Sequence, residues 1–152
     1  MELRDSFRVD APSSQVWELF WDFPRLASCL PGCEAIEVID DSNFKAQVKQ
    51  KIGPFQVSME LMMTIVDVTQ GRQIVAEGGG SDRRGNRLKI IRASLAVDPI
   101  SPGEAQVSYD MNFTLFGRLG TLGYGVIKRK VGEMQAEFTR CITAALENSQ
   151  EV

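Results

Sequence analysis

The chain contains no histidine. That absence excludes Ser-His-Asp and Cys-His nucleophile pairs, His-ligated zinc and the His-Glu-x-x-His protease helix. Cysteine is scarce: Cys29, Cys33 and Cys141 are the only three. An odd count without a signal-like start points to a reducing compartment. Three thiolates plus a carboxylate make a poor zinc set, and the Cys29-x-x-x-Cys33 spacing is not that of a C-x-x-C redox motif. The thiols therefore read as small buried hydrophobes. No apolar region follows Met1-Glu2-Leu3-Arg4-Asp5, so a secretory signal is not expected. No apolar run approaches the roughly 18 residues of a membrane span. Basic charge is not in excess, for the net charge is −3, and a nucleic-acid partner is not expected. Gly80-Ser-Asp-Arg-Arg-Gly85 has phosphate-loop glycine spacing, but Asn86-Arg87 follows where Lys-Ser/Thr belongs. No pair of inward carboxylates stands out as acid and base.

What is present is a soluble-protein composition, 43% hydrophobic and 24% charged, in 152 residues. This is the size of one domain, with a core large enough to need neither metal nor disulfide. Leu3, Asp5, Phe7 and Val9 alternate with polar residues as a strand interrupted at Asp5. Pro12-Ser13-Ser14 supplies a helix start with hydroxyl caps, and a second short helix covers Arg25 to Cys29. Leu30-Pro31-Gly32 ends it. Six further strands follow: Glu34–Ile39, one through Phe44, Ala46 and Val48, Phe55 to Ile65, Gln73–Ser81, Arg87–Asp98 and one from Ala105 to Leu115. Pro99 to Gly103 reads as a loop. A final helix spans Arg118 to Asn148, with Gly123, Ile127, Val131, Met134, Phe138, Ile142 and Ala145 on one stripe of about six turns. The expectation is a single α+β domain over residues 1–152, a curved seven-stranded antiparallel sheet wrapped around a long C-terminal helix.

The inward strand positions predict an apolar cavity between sheet and helix. Val57, Met59, Leu61 and Met63 on one strand, and Tyr109, Met111 and Phe113 on another, supply its wall. Methionine suits surfaces that repack around different shapes. Gly78 and Gly80 leave part of that wall without side chains. Gly123, Ile127 and Met134 face it from the helix, and Leu119, Leu122 and Tyr124 form its entrance. Tyr109 is the one inward polar group on its strand, suited to a hydrogen bond with a ligand or with the backbone. Gly117, Gly120, Gly123 and Gly125 fall within nine residues, which reads either as a mobile gate or as a first turn packed on the sheet. Residues 118–130 carry four basic side chains and no acid. With Arg118, Leu119, Leu122, Tyr124 and Lys128 foremost, this segment could touch an anionic membrane surface, or be a solvated face.

Several motifs together resemble one family. Ala11-Pro12 before Val16-Trp17, Cys29-Leu30-Pro31-Gly32-Cys33-Glu34, Lys51-Ile52-Gly53-Pro54, Gly80-x-Asp82-Arg83-x-Gly85 and Gly117-Arg118-Leu119-Gly120 are similar to the CoxG family, the G subunit of carbon monoxide dehydrogenase. The resemblance implies the helix-grip fold of the START/SRPBCC superfamily. It also implies a partner, a molybdenum hydroxylase of the CO dehydrogenase type, and a role in its membrane attachment or in carrying a quinone such as menaquinone. Some relatives carry a hydrophobic anchor after the domain, whereas this sequence stops at Glu151-Val152, so reversible membrane contact is expected. The reading is a non-enzymatic, cytoplasmic carrier of a hydrophobic small molecule, a quinone or lipid, peripheral on the inner face of the plasma membrane. It has no covalent or metal cofactor and no catalytic residue. A ligand-free assembly factor for such a hydroxylase, or a cyclase or dehydratase on the same fold, are the alternatives.

Overall fold

Alternating apolar and polar residues produce seven strands, and the two apolar stripes at either end of the chain produce helices that cover one face of the resulting sheet. The computed structural model describes residues 1–148. Its elements are β1 (Glu2–Val9), α1 (Ser13–Trp21), α2 (Phe23–Ala27), β2 (Cys33–Val38), β3 (Asn43–Ile52), β4 (Phe55–Thr69), β5 (Gln73–Ser81), β6 (Arg87–Ser101) and β7 (Glu104–Phe116), then a short 3-10 helix (Gly117–Thr121) and α3 (Tyr124–Asn148). All pairings are antiparallel, in the order β1-β7-β6-β5-β4-β3-β2. The expected helix-grip arrangement is what the chain adopts.

The sheet bends because register shifts fall on neighbouring strands, between Ile65 and Asp67 in β4, Ala76 and Gly78 in β5, and Ile90 and Arg92 in β6. A bulge inserts an unpaired residue and sharpens the local twist. Three in adjoining strands make a crease, and two of the extra residues, Val66 and Ile91, turn outward and lie exposed. The concave side faces α3. One large apolar cluster closes the end where α1 meets the C-terminal half of α3, with Val16, Leu19 and Phe20 packed on Val97, Val107, Ile142 and Leu146.

Several local expectations are corrected. Pro12 itself is the N-cap of α1, its carbonyl accepting from the Gln15 and Val16 amides, and no side chain caps the helix. Ser13 and Ser14 lie inside the first turn, past the capping position. The segment Pro99–Ser101 belongs to β6 and pairs with Ala105 and Glu104 across a bulge, which accommodates a proline in a strand. The last helix begins at Tyr124 rather than Arg118, because Gly117 takes a left-handed φ of +83° and Leu122 is extended. The thiol reading changes most. Cys29 and Cys141 form a disulfide, with Cα atoms 5.3 Å apart across 112 residues of sequence. That separation is within the range a disulfide spans. One disulfide and one free thiol also give an odd count, so the count does not decide the redox compartment. Cys33 is the free thiol; burial pushes its pKa up, against a weak hydrogen bond to the Ala35 carbonyl.

Candidate functional site

The inner face of the sheet under α3 is built from rows of side chains that lie in register across the strands. Phe44, Met63, Gly78, Ile90 and Phe113 form one row over five strands; Ala46, Leu61, Gly80, Leu88 and Leu115 form the next. Near the start of α3, Val57, Met59 and Leu119 are buried together, with Leu61 and Leu122 packed against them. Mid-sheet, Met63, Ile90 and Phe113 are buried together, and Met111 and Val131 close over them. Leu88 and Leu115 touch both clusters.

Gly78 and Gly80 do not leave open wall. A Cβ on Gly78 would lie 2.1 Å from the Met62 carbonyl oxygen and 2.8 Å from the Met63 sulfur; one on Gly80 would meet the Glu60 carbonyl and a Leu61 methyl. The missing side chains admit the neighbouring strand and its side chains, and those neighbours fill the space. Gly123 has nothing within 4 Å of such a Cβ, and lies exposed just before α3. Ile127 is buried, Met134 is half-buried, and Tyr109 stands edge-on to the Phe138 ring at 5.3 Å. The roof is therefore tight at both ends, at Ile127 and at Ile142 and Leu146, while Val131, Met134 and Phe138 between them remain partly open to solvent.

Two open depressions lie on the outer face. One of about 500 Å³ runs over Arg4, Ser6, Gln73, Ser94, Ser108 and Asp110; a second of about 300 Å³ adjoins it at Arg92 and Asn112. Their floor is polar, with the Ser94 hydroxyl donating to Asp110 at 2.8 Å.

At the start of α3 three connections meet. Asn86, buried in the β5–β6 turn, accepts the Leu119 amide through Oδ1 at 3.1 Å and donates Nδ2 to Asp82 at 2.8 Å. A Cβ on Gly117 would lie 2.4 Å from the Gly85 carbonyl, so glycine is required for this approach. Leu119 is thus 1% exposed, inside the core instead of at a surface entrance. The 3-10 helix is a packed turn pinned to the sheet. Sequence reasoning passes over Asn86, whose only signal is its place one residue after the Gly85 turn. Burial pushes the Asp82 carboxyl up, but the Asn86 side chain and amide, the Arg84 amide and the Arg84 charge together hold it below the usual value. The β3–β4 turn completes this end, Gly53 lying against Leu122 and Val126. Its rim combines exposed Phe116, Tyr124 (69% exposed) and Val126 with Lys51, Arg83, Arg84, Arg87, Arg118, Lys128 and Arg129. Arg87 lies over the Phe116 ring and Lys128 over that of Tyr124. Of the expected membrane-contact residues, Arg118, Tyr124 and Lys128 are on this surface, Leu122 is half-buried beneath it, and Leu119 is not on it. Among the described residues no helix is long and apolar enough to cross a membrane, and no three metal-ligating side chains converge.

The family model of CoxG, the G subunit of carbon monoxide dehydrogenase, matches residues 6–147. The chain belongs to the CoxG family. Solved structures agree on the fold. A conserved protein from Geobacillus kaustophilus superposes with a TM-score of 0.87 at 17% identity, covering 98% of this chain and 97% of the other. A START superfamily protein from Mycobacterium smegmatis gives 0.75 at 12%, covering 97% of each chain. The Zhui aromatase/cyclase from a Streptomyces species gives 0.63 at 13%, covering 95% of each. Comparison with curated proteins gave no match. CoxG membership on a START-like fold suggests a ligand-binding or carrier role. It also gives the motifs physical meaning: the two glycine turns of this chain meet at the Gly85–Gly117 contact, and Gly32 of Leu-Pro-Gly-Cys lies where a Cβ would meet the Lys49 carbonyl at 2.1 Å.

Proposed function

We propose that this CoxG-family chain is a non-enzymatic carrier that holds a hydrophobic small molecule, a quinone such as menaquinone or a lipid, between its sheet and α3. The observation that supports the reading is the apolar inner face of the sheet, with Met59, Met63, Met111 and Phe113, beside a helix whose Val131, Met134 and Phe138 are partly open to solvent. Methionine side chains repack at little cost, so α3 can rise over a guest without breaking the sheet. Each Å² of apolar ligand surface removed from water contributes about 25 cal/mol, and such binding needs no histidine or metal. The loop end, basic with apolar tips, is suited to transient contact with an anionic membrane, from which the guest would be taken. Delivery to a molybdenum hydroxylase of the CO dehydrogenase type, on the cytoplasmic side of the membrane, is the role the family resemblance implies.

The test is native mass spectrometry of the protein after incubation with menaquinone-loaded vesicles, followed by solvent extraction. A stoichiometric adduct is expected, and Met111→Trp should lower its occupancy. A protein that stays empty overturns the carrier reading and leaves the ligand-free assembly role in front.

A further inference from the structure

The disulfide joins two helical segments of the covering layer, and neither of its ends lies in a strand. Cys29 follows α2 directly, and Cys141 sits in the C-terminal half of α3. The sheet is closed by its own antiparallel pairings, so opening the bond takes nothing from it. Other ties between the same segments do not depend on sulfur. The Arg25 guanidinium donates to the Ala145 carbonyl at 2.9 Å, and the Glu147 carboxylate accepts the Asp10 amide at 3.2 Å. Ile142 and Leu146 are fully buried in one cluster with Val16, Leu19 and Phe20. A domain of this size does not need a covalent staple to fold. The bond thus constrains α3 further without being all that holds it. It is also within reach. Cys29 is 4% exposed, but Cys141 is partly open to solvent, so a thiolate can approach from the Cys141 side. Exposed disulfides are the labile and regulatory ones.

We propose that the Cys29–Cys141 disulfide is a redox latch on the covering helix: closed, it pins the C-terminal half of α3 to the end of α2, and opened by a dithiol it lets that half move while the fold persists. The chemistry balances with the dithiol as co-reactant. Its thiolate attacks the Cys141 sulfur, the sulfur–sulfur bond breaks, and Cys29 leaves as a thiolate that takes a proton. The second thiol of the reductant then attacks the mixed disulfide and releases Cys141 as a thiol. Two electrons and two protons pass to the protein, and the dithiol becomes a disulfide. Cys33, in the same loop as Cys29, does not open the latch from within. Burial raises its pKa, against its hydrogen bond to the Ala35 carbonyl at 3.6 Å, so it keeps its proton at neutral pH, whereas exchange requires the thiolate. With the bond open, the half-covered stretch of Val131, Met134 and Phe138 is no longer followed by a covalent anchor, and only packing and the two hydrogen bonds hold the helix end. In a carrier, the latch sets how readily a guest enters and leaves. It concerns the helix itself, so it stands or falls without any guest.

The test uses the full, unliganded chain before and after treatment with dithiothreitol, with no denaturant present. Alkylation followed by mass spectrometry should label Cys33 alone beforehand and all three cysteines afterwards. Amide hydrogen exchange around Cys141 and Ile142 is then expected to speed up about tenfold or more, with the strands β5 to β7 and the far-ultraviolet circular dichroism unchanged. Cys141→Ser should show the fast pattern with or without dithiothreitol, and Cys33→Ser should respond as the wild type does. Three results would each overturn the latch: a bond that dithiothreitol opens only in urea, an exchange pattern that reduction leaves unaltered, or a loss of structure throughout the chain on reduction, which would make the disulfide a staple. Because the wild type is reduced chemically, the outcome does not depend on whether Cys141→Ser folds.

Discussion

Asn86 is a buried polar side chain that joins two segments far apart in sequence. Its side chain joins the β5–β6 turn to the 3-10 helix through the Leu119 amide, and it anchors Asp82 from two positions. Asn86→Ala leaves a buried amide without a partner, so a loss of about 1–3 kcal/mol is expected in urea unfolding. The Asp82 carboxyl is held below its ordinary value in the folded protein, so its contribution is present above the unfolded value of about 3.9 and is lost as pH falls through the lower folded one. The gap between wild type and Asn86→Ala should therefore narrow at strongly acid pH without closing, since the Leu119 bond does not titrate; a gap of constant size would show that the Asp82 bonds carry none of the difference. Gly78 is the other residue on which packing turns. Gly78→Val, with its first carbon 2.1 Å from a backbone carbonyl, should unfold or severely destabilise the protein.

Helix α3 is held unequally along its length. The disulfide at Cys141 and the fully buried Ile142 and Leu146 tie its C-terminal half to α1 and α2. Its first turn holds Gly125 with free space around it, and its middle is half-covered. Opening for a guest should begin at the glycine end and stop before the staple. Hydrogen exchange is expected to be fastest over residues 124–134 and slowest around Ile142, and a reversed gradient would contradict this hinge. Gly125→Ala should stabilise the helix by a few tenths to about 1 kcal/mol and slow guest exchange. Closing a loop of this length removes about 4.7 kcal/mol of unfolded-state entropy in the chain-entropy view, an upper figure. Cys141→Ser should accordingly lower the urea midpoint markedly; an unchanged midpoint would mean the disulfide does not form in solution.

At the scale of the molecule, charge is segregated. The loop end gathers the seven basic side chains of its rim, in a chain whose net charge is −3, so the remainder is acidic. Such a distribution orients the molecule at an anionic surface without needing high overall affinity. Co-sedimentation with phosphatidylglycerol vesicles should be measurable at low salt, fade above about 0.15 M, and fall several-fold in Arg118→Glu with Lys128→Glu. Equal binding to neutral phosphatidylcholine vesicles would remove electrostatics from the account.

The order of elements, the curved sheet and the apolar inner face were legible in the amino-acid sequence, because period-two and helical stripes record which face each segment buries. Phe55 to Met63 and Ala105 to Leu115 state their inward sides residue by residue, and the family motifs stand in the letters as well. Contacts between distant segments were not legible. The pairing of Cys29 with Cys141, the burial of Leu119 by Asn86 and the contact of Tyr109 with Thr139 each join residues far apart in sequence, where periodicity carries no information. The glycines of β5 make the same point: a missing side chain reads as empty wall along the strand, and only the approach of β4 shows that the Met63 sulfur and the Leu61 methyl occupy the room. Local pattern determined the faces of this protein; the closing of the sheet on its helix decided what those faces hold.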